Sequence, residues 1–308
     1  MSRPQVSVII PTLDAEATIG AALDSVLEGQ VLDVEVLVVD DGSQDGTRDA
    51  IERRRDPRIR WLTTGSRRSG SGVARNVAFE VARGDWVALL DADDIWAPGR
   101  LERLLDAAHP TGHRIVCDDV AIVAADAPDR EDGATLFDIR MRGDRPSTWT
   151  LQLAQFVRWD LGLMMPVFER ALLVEDGIRY PGYKCSTPDF SLLFDLIARE
   201  GGTLIVDVPS YVYRKQPGSE SQARPEFWLD SLRMTADILR RETAQHPRIR
   251  ALLIRRLHRS LARYHYLLAR EHVRRRAYLK AALALLRSPR ATALAIRAAL
   301  RRTRHPQG

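Results

Sequence analysis

Three carboxylates fall within four residues at Asp91-Ala92-Asp93-Asp94. Acids this close repel one another, and the cluster is costly unless solvent or a cation neutralises it. An all-oxygen, anionic donor set suits Mg2+ or Mn2+. Mg2+ takes one or two carboxylates and completes its shell with water and substrate phosphates. An Asp-x-Asp at a strand end therefore reads as a clamp for a diphosphate and its metal. The plainer reading is an acidic turn ahead of a helix that begins near Pro98. Asp40-Asp41-Gly42-Ser43 also has two readings. It is either a strand-to-helix turn with Gly in a left-handed position, or a carboxylate placed to accept a hydrogen bond from a base such as uracil.

These groups need elements to bring them together. Val6 to Ile10, Val34 to Val39, Ile59 to Leu62 and Trp86 to Leu90 are short apolar runs that read as buried strands. Between them, Ala15 to Leu27, a segment from Ser43 or Asp45 to about Arg55, and Ala74 to Arg83 read as helices, and another runs from Pro98 to about Ala108. Gly65 to Gly72 reads as a loop. Alternating strands and helices predict an α/β fold with a mostly parallel central sheet flanked by helices. Open sheets of this kind bind ligands beyond the carboxyl ends of their strands. Strand one ends in Pro11-Thr12-Leu13-Asp14, strand two in Asp40 to Ser43 and strand four in Asp91 to Asp94, so the three groups converge on one edge. Later, Val116 opens another strand, Ala125 to Pro146 is a polar excursion, Phe190 to Arg199 is a helix and Leu204 to Val206 a strand. From Phe227 only helices follow, with breaks near Pro247 and Pro289.

The order and spacing of four segments carry a resemblance. They are Val-Ser-Val-Ile-Ile-Pro-Thr (6–12), Val-Val-Asp-Asp-Gly-Ser-Gln-Asp-Gly-Thr (38–47), Ala-Arg-Asn (74–76) and Gly-Asp-Trp-Val-Ala-Leu-Leu-Asp-Ala-Asp-Asp (84–94). Together they resemble the nucleotide-binding half of the family 2 glycosyltransferases, which have the GT-A fold. The resemblance implies a catalytic domain over 1–222, with a nucleotide-binding half 1–110 and an acceptor half 111–222. An α-helical extension, 223–308, would follow. It further implies an inverting hexosyltransferase that uses a nucleotide sugar, commonly a UDP-sugar, with Mg2+ or Mn2+. By motif position Pro11, Thr12 and Asp14 would line the nucleoside pocket, Asp41 would contact the base, and Arg75 would bind the nucleotide sugar. Asp91 and Asp93 would hold ribose, diphosphate and metal, and Asp94 would be a metal ligand. The family's proton acceptor is commonly an Asp opening a helix in the second half, often after Glu. In this chain Asp189 fills that place, preceded by Pro188. The plainer reading of Asp189 is a carboxylate favoured by a helix N-terminus.

Tyr211-Val212-Tyr213-Arg214 and Ser219-Glu220-Ser221 also match the family's second half, with Arg214 or Lys215 near phosphate and a loop through Gly218 closing over the donor. Gly177-Ile178-Arg179-Tyr180-Pro181 is similar to exopolysaccharide transferases of the succinoglycan type. These similarities imply transfer to a glycan or lipid-linked acceptor in bacterial-type cell-surface polymer synthesis.

Charge separates the two parts of the chain. Its 308 residues carry a net +5, yet from Arg248 onward seventeen Lys and Arg face one acid, Glu271. A strongly basic tail on an otherwise acidic chain points to an anionic surface. Ala277 to Leu286 and Ala291 to Leu300 are apolar helical stretches among arginines. Such helices lie in the headgroup layer of anionic membranes, or else pack on the catalytic domain with a solvated arginine face. No nucleic-acid module accompanies the charge. Two cysteines, Cys117 and Cys185, support neither a disulfide framework nor a thiolate metal site. The chain lacks a signal-like start and a run of roughly 18 apolar residues. It therefore reads as cytoplasmic, peripheral at the inner face of the plasma membrane.

Two rival functions remain. A sugar nucleotidyltransferase would carry a basic, Gly-rich phosphate loop after strand one, where Pro11 to Gly20 has no basic residue. A non-catalytic nucleotide-sugar-binding or scaffold protein would need no proton acceptor. A dehydrogenase fingerprint is absent, since Gly70-Ser71-Gly72 lacks the third glycine and does not follow the first strand.

Overall fold

A computed structural model describes residues 3–124, 134–141, 143–215 and 224–295. The chain divides into two compact units, 1–184 with 188–217, and 185–187 with 218–308.

The first unit holds strands β1 (Val6–Thr12), β2 (Val34–Asp40), β3 (Ile59–Thr63), β4 (Trp86–Leu89), β5 (Ile95–Trp96), β6 (Ile115–Ala124), β7 (Thr148–Leu151), β8 (Val167–Glu169) and β9 (Thr203–Lys215). Its helices are α1 (Ile19–Leu27), α2 (Thr47–Glu52), α3 (Ser71–Phe79), α4 (Arg100–Ala108), α5 (Leu136–Arg140), α6 (Leu153–Trp159), α7 (Ala171–Glu175) and α8 (Pro188–Glu200). One sheet runs β3-β2-β1-β4-β8-β6-β9-β5, with β7 added on β9. The expected parallel block exists: β1 pairs parallel with both β2 and β4, and β2 with β3. Beyond β4 the sheet becomes mixed, because β8 runs antiparallel to β4 and β6. Every residue of β1 is buried. Burial on both faces is why its sequence is a continuous apolar run instead of an alternating one. Register places Thr12 beside Asp40 and Asp40 beside Thr63, so the ends of β1, β2 and β3 are level.

Some boundaries differ from expectation, each for a tertiary reason. The first helix begins at Ile19, not Ala15. The amides of Ala15 and Glu16 donate instead to the side chains of Thr47 and Asp45, which ties this segment to the loop after β2. The third helix starts at Ser71, three residues early, and stops at Phe79, short of Arg83. The strand expected at Leu204 to Val206 extends to Lys215. Its ladder to β6 shifts register between Asp118 and Val120, next to Pro209, and resumes at Tyr211. Proline is tolerated in a strand at such irregularities.

A buried ion pair braces this half. The Arg100 guanidinium donates twice to Asp118, at 2.8 and 2.7 Å, and both side chains are fully buried. It also stacks on the Trp96 and Tyr211 rings, at 4.8 and 5.4 Å. The Ser210 hydroxyl donates to Asp118. The pair thereby fixes β6, β9 and the start of α4 together.

The second unit contains α9 (Pro225–Ile238), α10 (Pro247–Arg274) and α11 (Tyr278–Leu286). The expected break at Pro247 is the start of α10, which Pro suits because the first helical N–H has no partner. A further break falls at Arg276, whose φ is +56°. Residues 287–288 interrupt the helix before it resumes at 289 and runs to 295. The segment expected at Ser219 to Ser221, residues 125–133 and 142 of the expected excursion, and the end of the Ala291 to Leu300 helix lie outside the described residues; the rest of that excursion includes α5, which buries Leu136 and Phe137 and so is not wholly polar surface.

Candidate functional site

A cleft of about 510 Å3 opens at the carboxyl ends of β1 and β4. That falls in the range of small-ligand sites, roughly 300–1,000 Å3. Pro11, Asp14, Asp91 and Asp93 line it, together with Leu13, Ala15, Ala17, Thr18, Ser71 and Ala92.

At the β2 side, Asp41 is 4% exposed. Its carboxylate accepts from the Thr64 hydroxyl and from the Ser69 and Gly70 amides, at 2.8–3.0 Å. It organises the 64–70 loop and so stations Ser71 at the cleft wall. Asp14, with φ +51°, clasps the same region. Its carboxylate accepts from the Gln44 amide at 2.7 Å and pairs with Arg67 at 2.7 Å. Arg67 passes so close to Gly42 that a Cβ there would lie 2.9 Å from its Cα, and Gly42 has φ +87°. Only glycine suits that position. Thr12 is buried, and its hydroxyl has no hydrogen-bond partner.

The acidic turn follows β4. The Asp94 amide donates to the Asp91 carbonyl, which closes the turn. Tyr211 of β9 staples it: its hydroxyl accepts from the Asp91 amide at 3.2 Å and donates to Asp94 Oδ2 at 2.8 Å. The Arg214 amide donates to Asp94 Oδ1 at 2.9 Å, and Arg214 Nε donates to the Asp93 carbonyl at 2.7 Å. Arg214 Nη2 is buried without a partner. Asp94 is fully buried with both oxygens engaged, whereas Asp91 and Asp93 face the cleft. One oxygen from each of the three acids lies within 4.8 Å of the others. This hard-oxygen set fits Mg2+ or Mn2+. Without a cation the acids suffer. Burial pushes Asp91 up to about 6; Arg75 opposes this, while Asp189 and Asp93 add to it. Burial also raises Asp93, and raises Asp94 well above its ordinary value with help from Asp91 and Asp93.

Arg75 joins the two halves of the site. It sits on α3 and is fully buried. One terminal nitrogen donates to Asp91 and the other to Asp189 Oδ1 at 2.9 Å. Its guanidinium also lies 5.3 Å from the centre of the Tyr180 ring. Burial works against its charge, but Asp189, Tyr180 and Asp91 outweigh that and hold its pKa above the ordinary arginine value. Asp189 lies in the first turn of α8. Its Oδ1 accepts a second bond, from the Tyr180 hydroxyl at 2.7 Å. Among the described residues both of these bonds go to Oδ1 and none is made to Oδ2. Burial and Asp189 push the Tyr180 phenol well up, so it remains a donor. Asn76, beside Arg75, holds Tyr180 in place through its backbone, donating to the carbonyl and accepting from the amide, both at 3.0 Å. Phe79 stacks on the Tyr180 ring at 5.7 Å. Gly72 makes the approach of these segments possible, since a Cβ there would lie 3.2 Å from both Tyr180 and Pro188.

Of the residues singled out from the sequence, Pro11, Asp14, Asp91 and Asp93 face the cleft, and Thr12, Asp41, Arg75 and Asp94 are buried behind it. Asp189 is bonded to the group through Arg75. Sequence reasoning assigned no role to Tyr180, Tyr211 or Asn76. Each lies in a motif already noted, but its partners come from distant parts of the chain.

Comparison with known proteins bears on the family and the fold. The Glycosyl transferase family 2 profile matches residues 7–155. Succinoglycan biosynthesis protein ExoO of Rhizobium meliloti (strain 1021) is 30% identical over 264 residues, covering 80% of this chain and 73% of that protein. UDP-Glc:alpha-D-GlcNAc-diphosphoundecaprenol beta-1,3-glucosyltransferase WfgD of Escherichia coli is 43% identical over 97 residues, covering 32% of this chain but only 38% of that protein. Among solved structures, mannosyltransferase PcManGT from Pyrobaculum calidifontis, in complex with GDP-Man and Mn2+, superposes with a TM-score of 0.60 at 21% identity. That match covers 97% of this chain and 81% of the other, and it supports the fold.

Proposed function

The chain belongs to glycosyl transferase family 2, and from that premise we propose that it is an inverting, divalent-metal-dependent hexosyltransferase. Its donor is a nucleotide sugar, a UDP-sugar in the first instance. Its acceptor is a glycan or lipid-linked glycan in the assembly of a bacterial-type surface polymer. The observation that carries this reading is that the buried guanidinium of Arg75 bonds to both Asp91 and Asp189. It ties the donor-side acids to a carboxylate with one oxygen unbonded, as a transferase requires and a nucleotide-binding scaffold does not.

In this reading Pro11, Thr12 and Asp14 shape the nucleoside end of the cleft. Asp41 serves the base through the 64–70 loop that it holds. Asp91 and Asp93, the two acids that line the cleft, take the metal, with Asp94 as their buried anchor. When bound, the cation neutralises charge on the leaving diphosphate. Asp189 Oδ2 takes the proton of the acceptor hydroxyl as that oxygen bonds to the anomeric carbon and the bond to the diphosphate breaks. Arg75 and Tyr180 hold Oδ1, which fixes the direction in which Oδ2 points. In this reading Arg75, fully buried, serves the donor site through the two acids that it holds. Arg214, with one nitrogen unbonded beside the acidic turn, is placed for the diphosphate. The basic second unit meets an anionic membrane surface, at the inner face of the plasma membrane if the acceptor is lipid-linked. Among the described residues no helix is long and apolar enough to cross a membrane.

The relatives support the donor and acceptor classes only by likeness: one acts with UDP-glucose on a diphosphoundecaprenol-linked sugar, and another serves succinoglycan synthesis. The test is a screen of the purified chain against UDP-, GDP- and dTDP-sugars with Mn2+, read as thermal shift and as release of the nucleoside diphosphate. A UDP-sugar is expected to stabilise and turn over, and chelation to abolish turnover. Stabilisation by no nucleotide sugar would overturn the reading, and full turnover after chelation would remove the metal from it.

A further inference from the structure

The helix α11 is built inside out. Its small residues Ala281 and Ala284 are buried against Ala269 of α10, with Leu268 and Leu285 packed alongside. Its large residues face outward: Leu279 is 75% exposed, Leu283 50% and Leu286 78%. A helix in a soluble protein turns its large apolar side chains toward the core. These three leucines fall at i, i+4 and i+7, which places them on one stripe. Tyr278 stands beside the stripe at 64% exposure. Cations surround it: Arg274, Arg275 and Arg276 precede the helix, Lys280 lies within it, and Arg287 and Arg290 follow, all exposed. Glu271, paired with Arg275, is the only acid in residues 248–295.

We propose that α11 is the element of the second unit that enters an anionic phospholipid surface, with Leu279, Leu283 and Leu286 as the inserted side chains; this rests on the membrane reading given above. The charge selects this occupant. A second copy docked on the same face would bring two sets of six cations together, whereas lipid phosphates complement them. Length fixes the mode of binding. Nine residues span about 13 Å at 1.5 Å per residue, far short of the ~30 Å hydrocarbon core. The helix therefore lies in the plane of the interface, leucines toward the acyl chains and arginines among the headgroups. Ala281 and Ala284 keep it attached to α10 throughout.

The test is co-sedimentation of the full chain with vesicles of phosphatidylcholine and phosphatidylglycerol, and with phosphatidylcholine alone. The triple variant Leu279→Gln/Leu283→Gln/Leu286→Gln is compared with the parent. Because the leucines are exposed, the variant should keep the parent's melting temperature and its nucleotide-dependent thermal shift. Expected is binding of the parent to the anionic vesicles only, weakened by salt, and a loss on the order of tenfold or more in the variant. Equal, salt-sensitive binding by both proteins would overturn insertion while leaving the electrostatic membrane reading in place. No vesicle binding by the parent would overturn both. Concentration-dependent dimerisation of the parent, abolished in the variant and without vesicle binding, would assign the stripe to a second copy and overturn the proposal.

Discussion

Arg75 divides its two terminal nitrogens between acids from different motifs, Asp91 and Asp189. Lysine keeps the charge but presents a single ammonium, which cannot reach two carboxylates in fixed directions. Arg75→Lys is therefore expected to loosen the position of Asp189 while leaving the cleft lining intact. A misplacement of about 1 Å costs about 10²-fold. Steady-state kinetics of Arg75→Lys should show kcat reduced by about that factor, with a smaller change in the donor KM. A large rise in KM at unchanged kcat would mean instead that the arginine serves donor binding, as the sequence alone suggested. Nothing in Ala-Arg-Asn reveals that its arginine is fully buried.

At the scale of elements, the acidic turn depends on β9. Tyr211 contacts both ends of the turn from 120 residues away in the chain. Tyr211→Phe would leave the Asp91 amide and Asp94 Oδ2 unpaired in a buried place, at a cost of about 1–3 kcal/mol. Denaturant melts should show a loss of that size, and calorimetric titration should show weaker Mn2+ binding. Unchanged values in both would mean that the turn holds itself. Strands β2, β1 and β4 were legible because they are buried on both faces and read as apolar runs leading into acids, whereas β3, at the sheet edge and only half-buried, showed itself by its Ile59 to Leu62 run alone. The role of β9 was not legible. Pro209 breaks its run in the sequence, and the register shift that accommodates proline exists only against β6. The two-residue β5 is too short to show any period. The approach of α8 to α3 was hidden too, since it depends on Gly72 lacking a Cβ.

The whole molecule carries the cost of crowding three acids without a cation. A carboxylate whose pKa rises on folding favours the folded state less as pH climbs from its unfolded value, about 4, to its folded one, about 6 for Asp91. Metal-free protein therefore loses part of its stability across that window and does not regain it above. Mn2+ binds the ionised acids, so its stabilising effect grows as pH rises through the same window. Thermal melts with Mn2+ or with EDTA should show a larger metal-induced shift at about pH 7.5 than at about pH 5. An equal shift at both would place the metal elsewhere. The membrane role proposed for the second unit is tested with salt and lipid, independently of these. The central claim is that one site both holds the donor and removes the acceptor's proton. Its most direct measurement is transfer by Asp189→Asn against the parent, with UDP binding followed in parallel. Turnover should fall by roughly 10²–10⁴, the usual contribution of a general base, with UDP affinity retained. Undiminished turnover in that variant would contradict the account.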